Sequence, residues 1–158
     1  MAVTVRRARS EDWPAVAALL AELGRPAVLG TPDEAPTREL FLAYLEREDT
    51  EALVGELDGG VVGFVDMEYQ TWLNFTKPQA WTPYLIVSEA TRSRGVGAAL
   101  LARAEELARE RGCFAMRLES ANWRTRAHAF YLREGWTDSG KSFVRLLEGA
   151  AWPPPPGP

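Results

Sequence analysis

Leu85-Ile86-Val87-Ser88-Glu89-Ala90-Thr91-Arg92-Ser93-Arg94-Gly95-Val96-Gly97-Ala98-Ala99-Leu100-Leu101 is the stretch whose reading decides the fold. A β-type apolar run ends in a short polar turn, two arginines and two glycines, then opens directly into a helical pattern. A strand, a glycine turn and a helix start together aim free backbone N–H groups at a phosphate or diphosphate. Glycine lets the main chain approach an anion with no Cβ in the way. The helix N-terminus adds a partial positive charge worth roughly 0.3–1 kcal/mol per anionic group. The stretch therefore predicts a phosphate-bearing ligand.

Working outward, Ala80–Val87 reads as the strand that feeds this turn. The helix after it runs to about Arg111, with Val96, Leu100, Ala104 and Leu107 on one face and Gly112 as its stop. Cys113–Glu119 is a further strand, Thr125–Glu134 a short helix ended by Gly135, and Trp136–Leu147 a final hairpin around Asp138-Ser139-Gly140. Upstream, Val3–Arg6 alternates as a first strand, and Ser10 is placed to cap a helix carrying Val16, Leu19, Leu20 and Leu23 until Gly24 stops it. Residues 25–36 read as a loop, after which Thr37 can cap a second helix with Leu40, Phe41, Tyr44 and Leu45 on one face. Asp58-Gly59-Gly60 between Glu51–Leu57 and Val61–Tyr69 is a strong hairpin signal. The pattern predicts an α/β (α+β) fold with parallel pairing around residues 80–119.

At 158 residues the chain has the length of one domain, expected over residues 1–148, with a Pro-rich tail at 149–158. Hydrophobic content of 46% and charged content of 25% are ordinary for a soluble globular protein. No apolar run is long enough to span a membrane, and the first residues lack a secretion-signal pattern, so a cytoplasmic protein is expected. A lone cysteine allows no internal disulfide. A net charge of −4 argues against nucleic acid as a partner.

Gly-x-Gly alone is weak evidence. No Gly-Lys-Ser/Thr follows the turn as a P-loop requires, and position 100 is Leu where a dinucleotide fingerprint needs Gly or Ala. What remains is Arg92-Ser93-Arg94-Gly95-Val96-Gly97 between a strand and a helix. Some thirty residues later comes Ala127-His128-Ala129-Phe130-Tyr131-Leu132-Arg133-Glu134-Gly135-Trp136, of the form Ala-x-x-Phe-Tyr-x-x-x-Gly-aromatic. With these two segments in this order, the chain resembles the GNAT superfamily of N-acetyltransferases over nearly its whole length. The resemblance implies a mixed central sheet of about six to seven strands, splayed between the fourth and fifth, flanked by about four helices.

The same resemblance implies that acetyl-CoA is the co-substrate, with no metal, and that its diphosphate lies on the turn of Arg92, Ser93, Arg94, Gly95, Val96, Gly97 and Ala98. The main chain of Leu85, Ile86 and Val87 would pair with the pantetheine arm like an added strand, which needs a free sheet edge there. The sheet is expected to splay after residue 87. Asn122 would also bind the CoA arm, and Tyr131 would be the acid beside the departing thiolate. In water, a phenol of pKa about 10 protonating a thiolate of about 8.5 is uphill by ~2 kcal/mol, so hydrogen-bonding the thiolate is the fitting role.

A base is harder to assign. Many relatives carry a glutamate on the strand before the turn, but Ala80-Trp81-Thr82-Pro83-Tyr84 has no acid. Glu119 heads the candidates, followed by Asp66 and Glu68, and proton removal through ordered water is the alternative. His128, Cys113, Met67 and Met116 read as structural. Trp72, Phe75 and Trp81 either line an acceptor pocket or pack at the surface, and Trp152 with the proline tail could dock on a partner in a homodimer. Helix 37–49 and loop 70–79 are expected to shape the acceptor site. Together these readings imply acetyl transfer to a primary amine of a small molecule, the branch that Arg124–Tyr131 resembles. The alternatives are acetylation of a protein or peptide amine, and a non-catalytic acyl-CoA sensor.

Overall fold

Asp58 and Gly59 stand at φ 55° and 82°, the left-handed pair that a two-residue hairpin turn demands, and they join β2 (Thr50–Leu57) to β3 (Gly60–Gln70). This hairpin is the middle of the sheet. The computed structural model describes residues 2–150, which form two compact units meeting in sequence at Leu118 and Glu119. Trp152 and the four prolines after it lie outside the described residues.

In the first unit β1 (Thr4–Arg7) pairs antiparallel with β2, and β3 pairs antiparallel with both β4 (Gln79–Thr82) and β5 (Leu85–Val87). β6 (Ala115–Leu118) runs parallel to β4, making six strands among the described residues. Side chains alternate across the sheet and build a core on each face. Leu53, Val65, Met67 and Ala80 meet α3 (Val96–Glu110), while Val54, Phe64 and Ile86 meet Trp13 and Val16 of α1 (Trp13–Glu22) and Phe41 of α2 (Glu34–Glu46).

α1 and α3 end as glycine predicts. Gly24 and Gly112 take φ 93° and 75°, and each helix closes with paired 5→2 and 6→1 bonds: Gly24 N–H to Ala21 with Arg25 N–H to Leu20, and Gly112 N–H to Arg109 with Cys113 N–H to Ala108. The starts differ from expectation. Ser10 opens a 3-10 turn (Ser10–Asp12) and caps nothing; its hydroxyl goes to Glu11. Asp12 is the N-cap of α1 but caps none of its amides; its side chain accepts the Arg9 N–H at 2.7 Å, ahead of the helix, while the Arg6 guanidinium grips both of its oxygens at 2.8 Å. α2 begins three residues before Thr37, whose hydroxyl donates back to the Asp33 carbonyl from inside the first turn, and it ends at Glu46.

The expected single strand over 80–87 is two. Pro83 offers no N–H to a ladder, and the chain is interrupted between β4 and β5. Pairing with β6 ends at Thr82↔Leu118, so the strands part there and not after Val87. Among the described residues β5 has β3 as its partner strand, on one side only.

In the second unit α4 (Thr125–Arg133) is followed by a segment without strands. The final hairpin expected over 136–147 is absent among the described residues. Its turn is flanked by polar Thr137, Lys141 and Ser142, its apolar residues Phe143, Val144 and Leu147 stay exposed, and a lone two-stranded ribbon that buries no apolar face is marginal.

Gly55 and Gly63 face each other across β2 and β3 beneath the first turn of α3. A Cβ on Gly63 would stand 2.8 Å from Val96 Cγ1 and 2.9 Å from Leu100 Cδ1. These glycines set how closely the helix start approaches the sheet. Gly63→Ala is accordingly expected to destabilise the protein by about 1–3 kcal/mol through overpacking. A thermal melt that leaves the midpoint unchanged contradicts this.

Candidate active site

The first bond of α3 runs from Ala99 N–H to Gly95 C=O at 3.0 Å. The amides of Arg94, Gly95, Val96, Gly97 and Ala98 precede that bond, and among the described residues none has an acceptor. The turn carrying them is exposed at Arg92–Gly95. Ser93 at φ 65° and Gly95 at φ 83° put the backbone in the left-handed region twice within three residues. For a serine that geometry costs about 1–2 kcal/mol, and strain of this kind collects where a ligand is held.

Around the turn, Glu22 at the end of α1 accepts the Ser88 hydroxyl at 3.1 Å and the Glu89 N–H at 2.9 Å, fixing the chain as it leaves β5. Arg92 pairs with Glu89 at 3.0 Å, and Arg94 reaches Asp58 of the hairpin at 3.4 Å. Both pairs are solvent-exposed. Such pairs are worth about 0–1 kcal/mol, so an incoming diphosphate can recruit either arginine at little cost.

The edge of β5 follows from its own bonds. Asp66 N–H donates to Tyr84 C=O and Ser88 N–H to Val62 C=O, so Tyr84, Ile86 and Ser88 turn their backbone toward β3. Leu85 and Val87 alternate with them and present N–H and C=O to the open side. Of the three residues expected to pair with an extended ligand, Ile86 is committed to β3.

Asp66 holds the interruption in place. Its Oδ1 accepts the Tyr84 N–H at 2.8 Å, replacing the backbone acceptor that the break at Pro83 displaces. The carboxyl is 6% exposed, and burial, against the opposing pull of that amide, pushes its pKa up to about 7. Glu68 adds like-charge repulsion, and the Tyr44 hydroxyl, which donates to Met67 C=O at 2.9 Å, lies close by.

Ala17 and Leu20 of α1, Arg25, Pro26 and Val28 of the following loop, Asp33, and Pro36, Thr37 and Leu40 of α2 enclose, with Tyr84, a cavity of about 410 Å³. The start of α2 lines this cavity; loop 70–79 does not. Trp72, Phe75 and Trp81 are not in its wall. Phe75 stacks on Phe114 with centroids 4.5 Å apart, and Arg117 sits over Trp72 and Trp81. Tyr84, Arg25 and Asp33 line this cavity, and sequence reasoning passed over them. A signal existed for Arg25, because the residue after a helix-stop glycine folds back on the helix it follows.

In the second unit Tyr131 is the C3 residue of α4. Gly135 at φ 86° donates to Leu132 C=O, Trp136 N–H donates to Tyr131 C=O at 2.9 Å, and the Tyr131 and Trp136 rings lie 5.8 Å apart. The spacing Tyr-x-x-x-Gly-aromatic is thus a complete helix C-cap with its hydrophobic contact. Burial, weakly opposed by Arg124, raises the Tyr131 phenol to about 12, so it stays protonated at neutral pH. Glu119 and Asn122 are exposed and, among the described residues, bonded to nothing. His128 is half-buried on α4, and the half-buried Cys113 thiol of the first unit is raised by burial.

An exposed turn of unbonded amides after an open-edged strand can take a diphosphate with an extended arm attached, and comparison with known proteins supplies the family. The model of the acetyltransferase (GNAT) family matches residues 9–136, and the chain belongs to that family. It is an acyltransferase. An aminoalkylphosphonate N-acetyltransferase from Salmonella typhimurium is 32% identical over 143 residues, 90% of each chain. A blasticidin-S acetyltransferase from Streptomyces morookaense is 39% identical over 83 residues, 52% of each. A structure from Bacillus halodurans, titled a transcriptional regulator, shares the fold with a TM-score of 0.84 at 22% identity, covering 92% of this chain and 100% of its own.

Asp66 makes stability depend on pH. Its folded pKa of about 7 lies above the ordinary carboxylate value, so between the two the folded state holds a proton that the unfolded state has lost. Stability from this group is present at low pH and declines as pH rises toward 7. The melting temperature of Asp66→Asn minus that of wild type should therefore increase from pH 5 to pH 8. A difference independent of pH contradicts the reading.

Proposed function

We propose that the protein transfers the acetyl group of acetyl-CoA to a primary amine of a small molecule by direct attack of the amine on the thioester. The observation that carries this reading is the run of five unbonded amides from Arg94 to Ala98 at the end of an open strand edge. The amides and the α3 N-terminus bind the diphosphate. Arg92, Ser93 and Arg94 add charge and donors around it, and Asn122 contacts the CoA arm. Leu85 and Val87 pair with the pantetheine amides, and the Leu85 N–H, first on the open edge, stabilises the carbonyl oxygen as it becomes an oxyanion. The relatives named for an aminoalkylphosphonate and for blasticidin S support a small-molecule acceptor.

Two proton movements remain. An alkylammonium of pKa near 10.4 is about 0.1% neutral at pH 7, which amounts to roughly 4 kcal/mol unless a group removes the proton. We assign that role to Glu119, an exposed carboxylate with no bonded partner among the described residues; Asp66 is engaged by the Tyr84 amide. Tyr131, kept protonated by burial, donates a hydrogen bond that stabilises the departing thiolate.

An assay of thiol release across a panel of primary amines tests the reading. Acetylation of at least one small amine is expected, with Tyr131→Phe lowering kcat by about 10²-fold, the lower range for loss of a positioned proton donor. CoA at 100 times its Kd should stabilise the fold by about 2.7 kcal/mol. Absence of both thiol release and CoA stabilisation contradicts it.

A further inference from the structure

We propose that the acceptor is a zwitterion, a small primary amine that also carries an anionic group, and that Arg25 reads the anion; this rests on the acetyl-transfer reading above. The cavity of about 410 Å³ has the size of a small-ligand site. Its wall is mainly apolar, with Leu20, Val28 and Leu40 among the lining residues, and it holds two charged side chains, Arg25 and Asp33. One cation and one anion make the wall neutral. A polyamine would need more carboxylates than one, and a polyanion would meet Asp33 with no second cation to balance it. A ligand with one charge of each sign matches the balance of the wall, its anion placed at Arg25.

Arg25 is held in place at two points. The left-handed Gly24 turns the chain back, so that the Arg25 N–H bonds Leu20 C=O at 3.1 Å, and the guanidinium carbon lies 5.5 Å from the centroid of the Tyr84 ring. A guanidinium stacked on an aromatic face keeps its N–H fork in the plane, where two parallel donors match a phosphonate or carboxylate. Tyr84 is also the residue before Leu85, so the cavity wall passes directly into the open edge of β5. An acceptor anchored through its anion at Arg25 has its amine free to extend toward the thioester along that edge.

Initial rates with 2-aminoethylphosphonate, β-alanine and propylamine, three short amines of which the last has no anion, test the proposal. Wild type should favour the better anionic acceptor over propylamine by tenfold or more in kcat/KM, roughly the value of a charge-assisted hydrogen bond. In Arg25→Ala that preference should fall to within about twofold, mainly through KM, and Arg25→Lys should restore part of it by returning the charge without the fork. Melting curves for both variants separate this from misfolding, and the wild-type preference reads out even if Arg25→Ala does not fold. If wild type acetylates propylamine as well as the zwitterions, or Arg25→Ala keeps the preference, the substrate class is wrong while the transferase reading stands. If none of the three releases thiol, the substrate class is wrong; if coenzyme A also fails to stabilise the fold, the transferase reading falls with it.

Discussion

Pro83 has no N–H to give, and the sheet of the first unit is organised around that deficit. β4 stays with β6 up to Thr82, then the chain breaks its ladder, and Asp66 closes the gap by accepting the Tyr84 N–H with a side-chain oxygen. Without that carboxylate a buried amide would lack a partner, which typically costs about 1–3 kcal/mol. With it, β5 remains locked to β3 on one side and open on the other. The open edge is a place where an extended ligand can act as a strand, and it runs straight into the turn whose amides have no acceptor among the described residues.

The turn depends on a second constraint, the close approach of α3 to the sheet. Gly55 and Gly63 leave Val96 and Leu100 room to pack directly on the hairpin backbone. The Asp58 side chain, raised by the left-handed hairpin turn, meets Arg94, and Glu22 holds the Ser88–Glu89 backbone. Strand edge, turn and helix start are thus fixed from three elements, with their donors left unspent. In the second unit the same economy of local bonds places Tyr131: the glycine that ends α4 also supplies the geometry by which Trp136 caps and contacts it.

What was legible in the sequence was what neighbours in the chain decide. The helix stops at Gly24, Gly112 and Gly135, the Asp58-Gly59 hairpin and the glycine turn all rest on φ values few other residues tolerate. The misread features rest on distant partners. Ser10 is not the helix start because a 3-10 turn precedes α1, with Asp12 at its end gripped by Arg6 from β1. The strand over 80–87 breaks at Pro83 because Asp66, seventeen positions earlier, can complete the broken ladder. The apolar residues near 136–147 suggested a hairpin, yet among the described residues they find no partner strand. Arg25 and Asp33 sat in a stretch read only as loop, since no local pattern reveals that α1, α2 and Tyr84 enclose a cavity there.

The claim on which all of this turns is that the backbone amides of residues 94–98 hold a diphosphate. Amide chemical shifts followed by ¹⁵N NMR during titration with coenzyme A, and separately with pantetheine, which lacks the diphosphate, test it directly. The account predicts that coenzyme A moves the Gly95, Val96, Gly97 and Ala98 resonances most, and that pantetheine moves Leu85 and Val87 while leaving the turn in place. Saturating coenzyme A with no change at residues 94–98 would contradict it.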